Sequence, residues 1–460
     1  MKWHSFTRPL EGVEWDTLRS YARRVRSVRH CMKELNWDSV RTLFNPPTPD
    51  PMFPNLRDLS WEFVYIIEIS PLMRHLAISS LISLEINVVF GDAPPIHSFF
   101  QLYYFGDLCP NIKTFRVRMG YPRVGFDERI SALVRRWRNL QDVHCSFISL
   151  DHNTLSHLSR MPGLTNLSFT LNAVVADHIV SSDSTLFFSK LRNLEIHSQS
   201  LEPISRLLSH VQLPVIESLT VYIDSCPPKL ALRSCLIAVQ KSCTRHSLVS
   251  LQLTQTPATS PTSHDFERYL LTTFDDIRPC MVFDQLRCLD INIASVVKLT
   301  DDDLLELAST CTHLECLLIN KEWGWQTTDG ITPDGLLQLL QKLGSLRHVC
   351  LVMDSRDYKD ISPAFQQAQI AGAIPRIPLF MNLVDSLVHP HSLKALSDFF
   401  AGVMQQQNAI SSSCYWSGSA MADSDPWTST VSKALWEIVF ANARQKASNM
   451  SSPNEMSLEA

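Results

Sequence analysis

The sequence predicts an α/β solenoid, with parallel strands lining one concave face, helices on the convex side and a helical cap at the C-terminal end. Three observations carry this. Leu191, Leu194 and Ile196 in Lys190-Leu191-Arg192-Asn193-Leu194-Glu195-Ile196-His197 fill places one, four and six of a template. That template restarts at Leu56, Leu81, Ile112, Leu140, Leu164, Leu191, Ile216, Leu248, Leu286, Leu314 and Leu346. Its three places in eleven copies make 33 positions, all apolar in a chain that is 45% hydrophobic, where chance fills about half.

The second observation is alternation. Places five and seven point away from four and six on a strand, and in the first nine copies they hold Ser60, Glu62; Glu85, Asn87; Arg116, Arg118; His144, Ser146; Ser168, Thr170; Glu195, His197; Thr220, Tyr222; Gln252, Thr254; and Asp290, Asn292. All are polar except the amphipathic Tyr222. The third is the spacing of starts, from 24 to 38 residues, which leaves room for a helix in each unit. Together these are the marks of a leucine-rich-repeat array, and 460 residues can run as one stack.

Taken in order, residues 1–54 form an N-terminal helical cap, with a helix over Trp15 to Ala22 and a degenerate strand at Val25–Val28, followed by the Pro-rich loop Asn45–Pro51. Arg23, Arg24, Arg26 and Arg29 read as the solvated edge of the stack rather than a nuclear signal. Residues 55–354 are the array. Helical spacing falls at Ile96–Leu108, Asp127–Trp137, Asn153–Leu158, Pro203–Val211, Lys229–Gln240, His264–Phe274, Thr300–Ala308 and Thr332–Leu343. Thr300-Asp301-Asp302-Asp303 and Thr332-Pro333-Asp334 supply a capping oxygen and then negative charge at a helix N-terminus. The 38-residue step after Leu248 holds Thr256–Ser263, an insertion loop rich in Pro and Ser/Thr. Beyond Asp354 the template is lost. Leu393, Leu396, Phe400 and Val403, then Val431, Leu435, Ile438 and Val439 with Trp436, predict two amphipathic helices in a cap region over 355–447. Residues 448–460 read as a disordered tail.

Composition excludes several functions. With 13 Gly the chain has neither G-x-G-x-x-G nor G-x-x-x-x-G-K, and no G-x-S-x-G elbow. His389-Pro-His391 and the pair His152, His157 lack a third ligand at useful spacing, so no metal or cofactor is expected. A net charge of −5 asks for neither nucleic acid nor membrane. The twelve Cys include no C-x-x-C pair and several fall at or beside buried places, as Cys145, Cys288, Cys316 and Cys350 do; buried thiols are expected. No secretory h-region follows Met1 and no apolar run approaches the roughly 18 residues of a membrane span, so the expectation is an intracellular protein, cytoplasmic or nuclear.

Phe6-Thr-Arg-Pro-Leu10 with Trp15 and Tyr21-Ala-Arg-Arg-Val-Arg26, together with Phe53-Pro-Asn-Leu-Arg-Asp-Leu59 and Leu343-Gly-Ser-Leu-Arg-His-Val349, resembles the fungal F-box proteins that carry divergent C-terminal leucine-rich repeats. The likeness spans residues 6 to 354. It implies a non-enzymatic substrate receptor of a cullin-based ubiquitin ligase, with a protein ligand. The F-box itself is missing here, so contact with the ligase adaptor is expected only if an F-box exists upstream. The alternative is a free-standing scaffold or pseudo-receptor without ligase contact. The asparagine ladder of regular leucine-rich repeats is also missing, since the ninth place holds Asn only at Asn172. The concave row turns apolar in its last two copies, at Leu318, Cys350 and Val352, with Trp323 and Trp325 between them. Those five are the candidate partner-binding residues, unless the C-terminal helices cover them.

Overall fold

The computed structural model describes residues 8, 10–30, 50–63, 76–88, 102–119, 126–182, 185–228, 230–256, 270–325, 327, 330–355, 358–360, 362–363, 366, 379–383, 386, 388–406, 410–413 and 426–451. The chain divides into two compact units, 1–198 with 210–216, and 199–209 with 217–460. Each is a leucine-rich-repeat stack of parallel strands joined through helices.

In the first unit the ladder runs β1 (Ser27–His30), β2 (Asp58–Phe63), β3 (Ser83–Val88), β4 (Thr114–Met119), β5 (Asp142–Ser149), β6 (Asn166–Leu171) and β8 (Asn193–Ser198), each parallel to the next. The register aligns the fourth places, Val28, Leu59, Leu84, Phe115, Val143, Leu167 and Leu194. A short side pair, β7 (Leu186–Phe187) with β9 (Val211–Gln212), lies outside that ladder. Helices Gly12–Ala22, Leu102–Leu108, Phe126–Val134, His152–Ser159 and Ala173–Ser181 intervene.

The second unit repeats the plan with β10 (Ser218–Ile223), β11 (Ser250–Gln255), β13 (Cys288–Asn292), β15 (Cys316–Ile319), β16 (His348–Cys350), β17 (Leu379–Asn382) and β18 (Ile410–Ser413). A side pair joins β12 (Leu270–Thr273) to β14 (Ser295–Lys298). Its helices include Leu201–Ser209, Ala231–Ser242, Asp301–Thr310, Pro333–Lys342, Leu393–Gln406 and Pro426–Ser451.

The template is the core. All 33 of its positions are buried, none more than 4% exposed. They meet apolar helix faces such as Ile130 and Leu133, Leu155 and Leu158, Leu304 and Leu307, or Leu336 and Leu340. At about 25 cal/mol per Å2 of apolar surface removed from water, these rows supply the main drive for stacking. Most repeats also open with one shared acceptor. The amides of Lys113 and Thr114 both donate to the Ile82 carbonyl, at 2.8 and 3.2 Å, and those of Arg287 and Cys288 to Val249, at 2.8 and 3.0 Å. Backbone pairing thus fixes the register that side-chain burial selects.

The capped helices form where the sequence places them. Thr300 accepts from the Asp303 amide at 3.3 Å while Asp303 accepts from Thr300 N at 2.8 Å, a capping box, and Thr332 Oγ accepts from Gly335 N at 3.1 Å. Asn172 accepts from Val175 N at 2.8 Å and donates to Ser149 Oγ at 2.9 Å. That single ladder asparagine therefore starts Ala173–Ser181, a Val-rich helix the periodicity did not announce.

Three expectations change. The helix over His264–Phe274 is not formed in its described part: Leu270–Thr273 is β12, and a short capped helix starts only at Phe274. A four-residue apolar and β-branched run does not distinguish strand from helix by period. The helical cap over 355–447 also holds β17 and β18, which prolong the ladder through Met381 and Ser412. Pro378 stands where the template wants Leu, which hid the repeat although Met381 and Leu383 are each 2% exposed. Residues 448–451 of the expected tail belong to the last helix, and 452–460 lie outside the described residues, as do 96–101, most of the Pro-rich loop and 257–263 of the insertion.

Candidate functional site

Four of the five candidate residues are core. Trp323 is 6% exposed, and Trp325, Cys350 and Val352 are each 0% exposed; Leu318 alone is half-buried. The reason is local. Asn320 (φ 53°) and Gly324 (φ 69°) turn the chain after β15 through left-handed backbone, with Gly324 N donating to Asn320 O at 2.8 Å. Trp325 is thereby aimed inward, where its indole donates to the Ile319 carbonyl at 3.0 Å and its own carbonyl accepts from Val297 N at 2.9 Å. Gly330 lets the chain pass against Val352, whose carbonyl a Cβ there would strike, and Ile331 N donates to that carbonyl at 2.8 Å. Next, β17 continues the sheet past Cys350, and the Leu351 amide reaches Asn382 O at 3.1 Å. The apolar turn of the row thus marks burial rather than a docking patch.

The accessible feature lies in the first unit. Strand β5 pairs in register with β6 up to Cys145 and Phe169, then jumps so that Ser149 opposes Thr170. The extra residues Ser146, Phe147 and Ile148 make a bulge. Ile148 occupies the ninth place, where a regular repeat carries Asn, and it turns inward at 0% exposure. That swing drives Phe147 into left-handed backbone, φ 64°, with its side chain outward and 43% exposed. For a large non-glycine residue this conformation costs about 1–2 kcal/mol. Phe147 is thus a large aromatic held outward on left-handed backbone.

Polar side chains of the same strand and its neighbours lie on this sheet face. The Phe147 ring lies 5.6 Å from the His197 imidazole, inclined at 47°. Glu195 Oε1 accepts from Ser168 Oγ at 2.9 Å and pairs with His197 Nε2 at 2.9 Å. His144 Nε2 and Ser146 Oγ share a hydrogen bond at 2.8 Å. Arg116 pairs with Asp142 at 2.5 Å, and Arg118, 62% exposed at its side chain, lies 3.5 Å from Glu85. The bond from His197 holds the Glu195 carboxyl below its ordinary value, helped by Ser168. Burial holds the His144 imidazole below its own; the Glu195 charge opposes that, and Arg118 reinforces it. Near neutral pH the face therefore presents an ionised Glu195 and a neutral His144 around the aromatic.

His144 and Ser146 resemble a base and a hydroxyl, but Glu195 spends Oε1 on Ser168 and His197. Among the described residues no carboxylate hydrogen-bonds His144 to orient it, as a nucleophilic pair requires. No group of three or more His, Cys, Asp or Glu among the described residues is placed to hold a metal ion, and no described helix is long and apolar enough to cross a membrane. Alternation located His144, Ser146, Glu195 and His197 in the sequence but not Phe147, which lies outside the template. The only hint was Ile148 in place of the ladder Asn.

No protein-family model matches this sequence, and no curated protein does. Solved structures that resemble the chain include an internalin from Listeria monocytogenes, at 13% identity over 88% of this chain and 87% of that one, TM-score 0.38. Another is the yeast Rad7 and Elc1 complex, at 14% identity over 89% and 86%, TM-score 0.36. A third is the plant peptide hormone receptor RGFR1 in complex with RGF2, at 10% identity over 79% and 64%, TM-score 0.30. We draw neither partner nor activity from likenesses this distant.

Proposed function

We propose that this chain is a non-enzymatic protein-recognition module that holds a protein ligand on the sheet face of its first unit, with Phe147 as the apolar anchor and Arg118, Glu85 and Glu195 as the charged rim. One observation carries the reading: the outward Phe147 on left-handed backbone, set among polar side chains. Aromatics ringed by polar groups dominate binding energy at protein interfaces, and backbone strain persists where the surroundings impose it.

The narrower form is the substrate-binding part of an F-box subunit of a cullin-based ubiquitin ligase, and it rests on the sequence resemblance. A free-standing scaffold uses the same face without the ligase. A photo-crosslinking amino acid at position 147, compared with one at exposed Leu230, tests the module. An adduct of one defined mass from position 147 and none from 230 supports it; equal labelling from both sinks it. Purified ligase adaptor mixed with the chain then tests the narrower form, which predicts binding only when an F-box precedes these residues.

A further inference from the structure

Cys288 opens β13 and Cys316 opens β15, and the register makes them direct partners across the ladder. Both are half-buried free thiols at the third template place. Neighbouring strands lie roughly 4.8 Å apart, inside the range of about 4.4–6.8 Å that a disulfide spans between Cα atoms.

We propose that Cys288 and Cys316 form a peroxide-reactive dithiol that closes reversibly into a disulfide across β13 and β15. The neighbouring Cys316 sulfhydryl, with Ser250 and Gln252, holds the Cys288 thiol below its ordinary value, although burial and the Asp290 charge oppose this. Each thiol shifts the other, so the two titrate as a pair. Asp290 is partly neutralised by Lys321, 2.7 Å away. Either sulfur of the pair can attack and the other resolve; Cys288 is taken as the attacker. By contrast, burial pushes Cys109 and Cys235 up to about 12, which makes them unreactive.

The oxidant is a hydroperoxide. The Cys288 sulfur attacks its outer oxygen, the O–O bond breaks, and the other oxygen leaves protonated as water or an alcohol. Cys288 is then a sulfenic acid, oxidised by two electrons. The Cys316 sulfur attacks it, the S–O bond breaks, the Cys316 proton leaves with that oxygen as water, and the disulfide forms. The half-buried position keeps the disulfide within reach of a reducing thiol.

The test treats the full chain with hydrogen peroxide and reads intact mass and a tryptic map. The expected result is a loss of two hydrogens per chain, a link between the peptide Cys288–Lys298 and Cys316, resolved from Cys311 by fragmentation, and full reversal by dithiothreitol. In Cys316→Ser the expected product is instead a sulfenic acid on Cys288, trapped by a cyclic dione, with no disulfide. Both thiols remaining reduced under excess peroxide, or a link to any other cysteine, overturns the proposal. Should Cys316→Ser fail to fold, the map of the unmutated chain decides alone.

Discussion

The ring of Phe147 leans on the imidazole of His197 across the ladder, 5.6 Å between centroids, from a backbone held at φ 64°. Neither residue needs the other for the core: one is 43% exposed, and the other reaches Glu195 at the sheet face. Phe147→Gly should relieve the left-handed strain while losing only half-exposed apolar surface. Stability should change by less than about 1 kcal/mol, whereas ligand adducts from neighbouring positions on this face should fall by tenfold or more, about 1.4 kcal/mol. A loss of stability above about 2 kcal/mol in a denaturant titration would show that Phe147 is a packing residue.

The two faces of a strand predict different costs. Leu194→Ala should lose about 2–5 kcal/mol and Leu289→Asp more, because the first leaves a cavity and the second buries a charge. Thr220→Ala should stay within about 1 kcal/mol. Glu195→Ala should fall between, at about 1–2 kcal/mol, since it strands the buried Ser168 hydroxyl. Equal losses along both rows would refute the register.

Trp325→Ala should act on stability. The indole is fully buried and donates to the Ile319 carbonyl, so truncation leaves a cavity and an unmatched acceptor at a cost of about 3–5 kcal/mol. Melting temperature should drop by several degrees, with adduct formation at position 147 per folded molecule unchanged. An unaltered melt would return this tryptophan to the surface.

Acid should destabilise the first unit in two separate windows. Glu195 has a folded value lowered from 4.5, so its stabilisation is complete above that value and disappears as pH falls through the lower folded one. His144 has a folded value lowered from 6.5. The unfolded chain therefore takes up that proton first, and stability declines as pH falls from 6.5 toward the folded value, then levels off. Glu195→Gln should flatten the lower window, and His144→Gln the upper one. Denaturant midpoints measured across pH check both, and a single merged transition unaffected by either variant would contradict the assignment.

The repeat was legible because its chemistry is periodic. Leu, Ile and Val at places one, four and six can only be buried together, so strand positions and the polar row followed from spacing. The caps at Thr300 and Thr332 were equally local. Where identity and place disagreed, legibility ended: Pro378 concealed β17, and Leu270–Thr273 was too short to declare its period.

Thus the sequence by itself determined the leucine-rich-repeat class, the register of the buried row, the capped helices and the polar character of the sheet face. Only the tertiary structure decided which apolar residues leave the core. Trp323, Trp325, Cys350 and Val352 are enclosed because left-handed turns at Asn320 and Gly324 and the added strand β17 close over them, while Phe147 is expelled because Ile148 takes the inward place at a bulge. Exposure is set by neighbours distant in the chain and by backbone dihedrals, and neither quantity is periodic in the sequence.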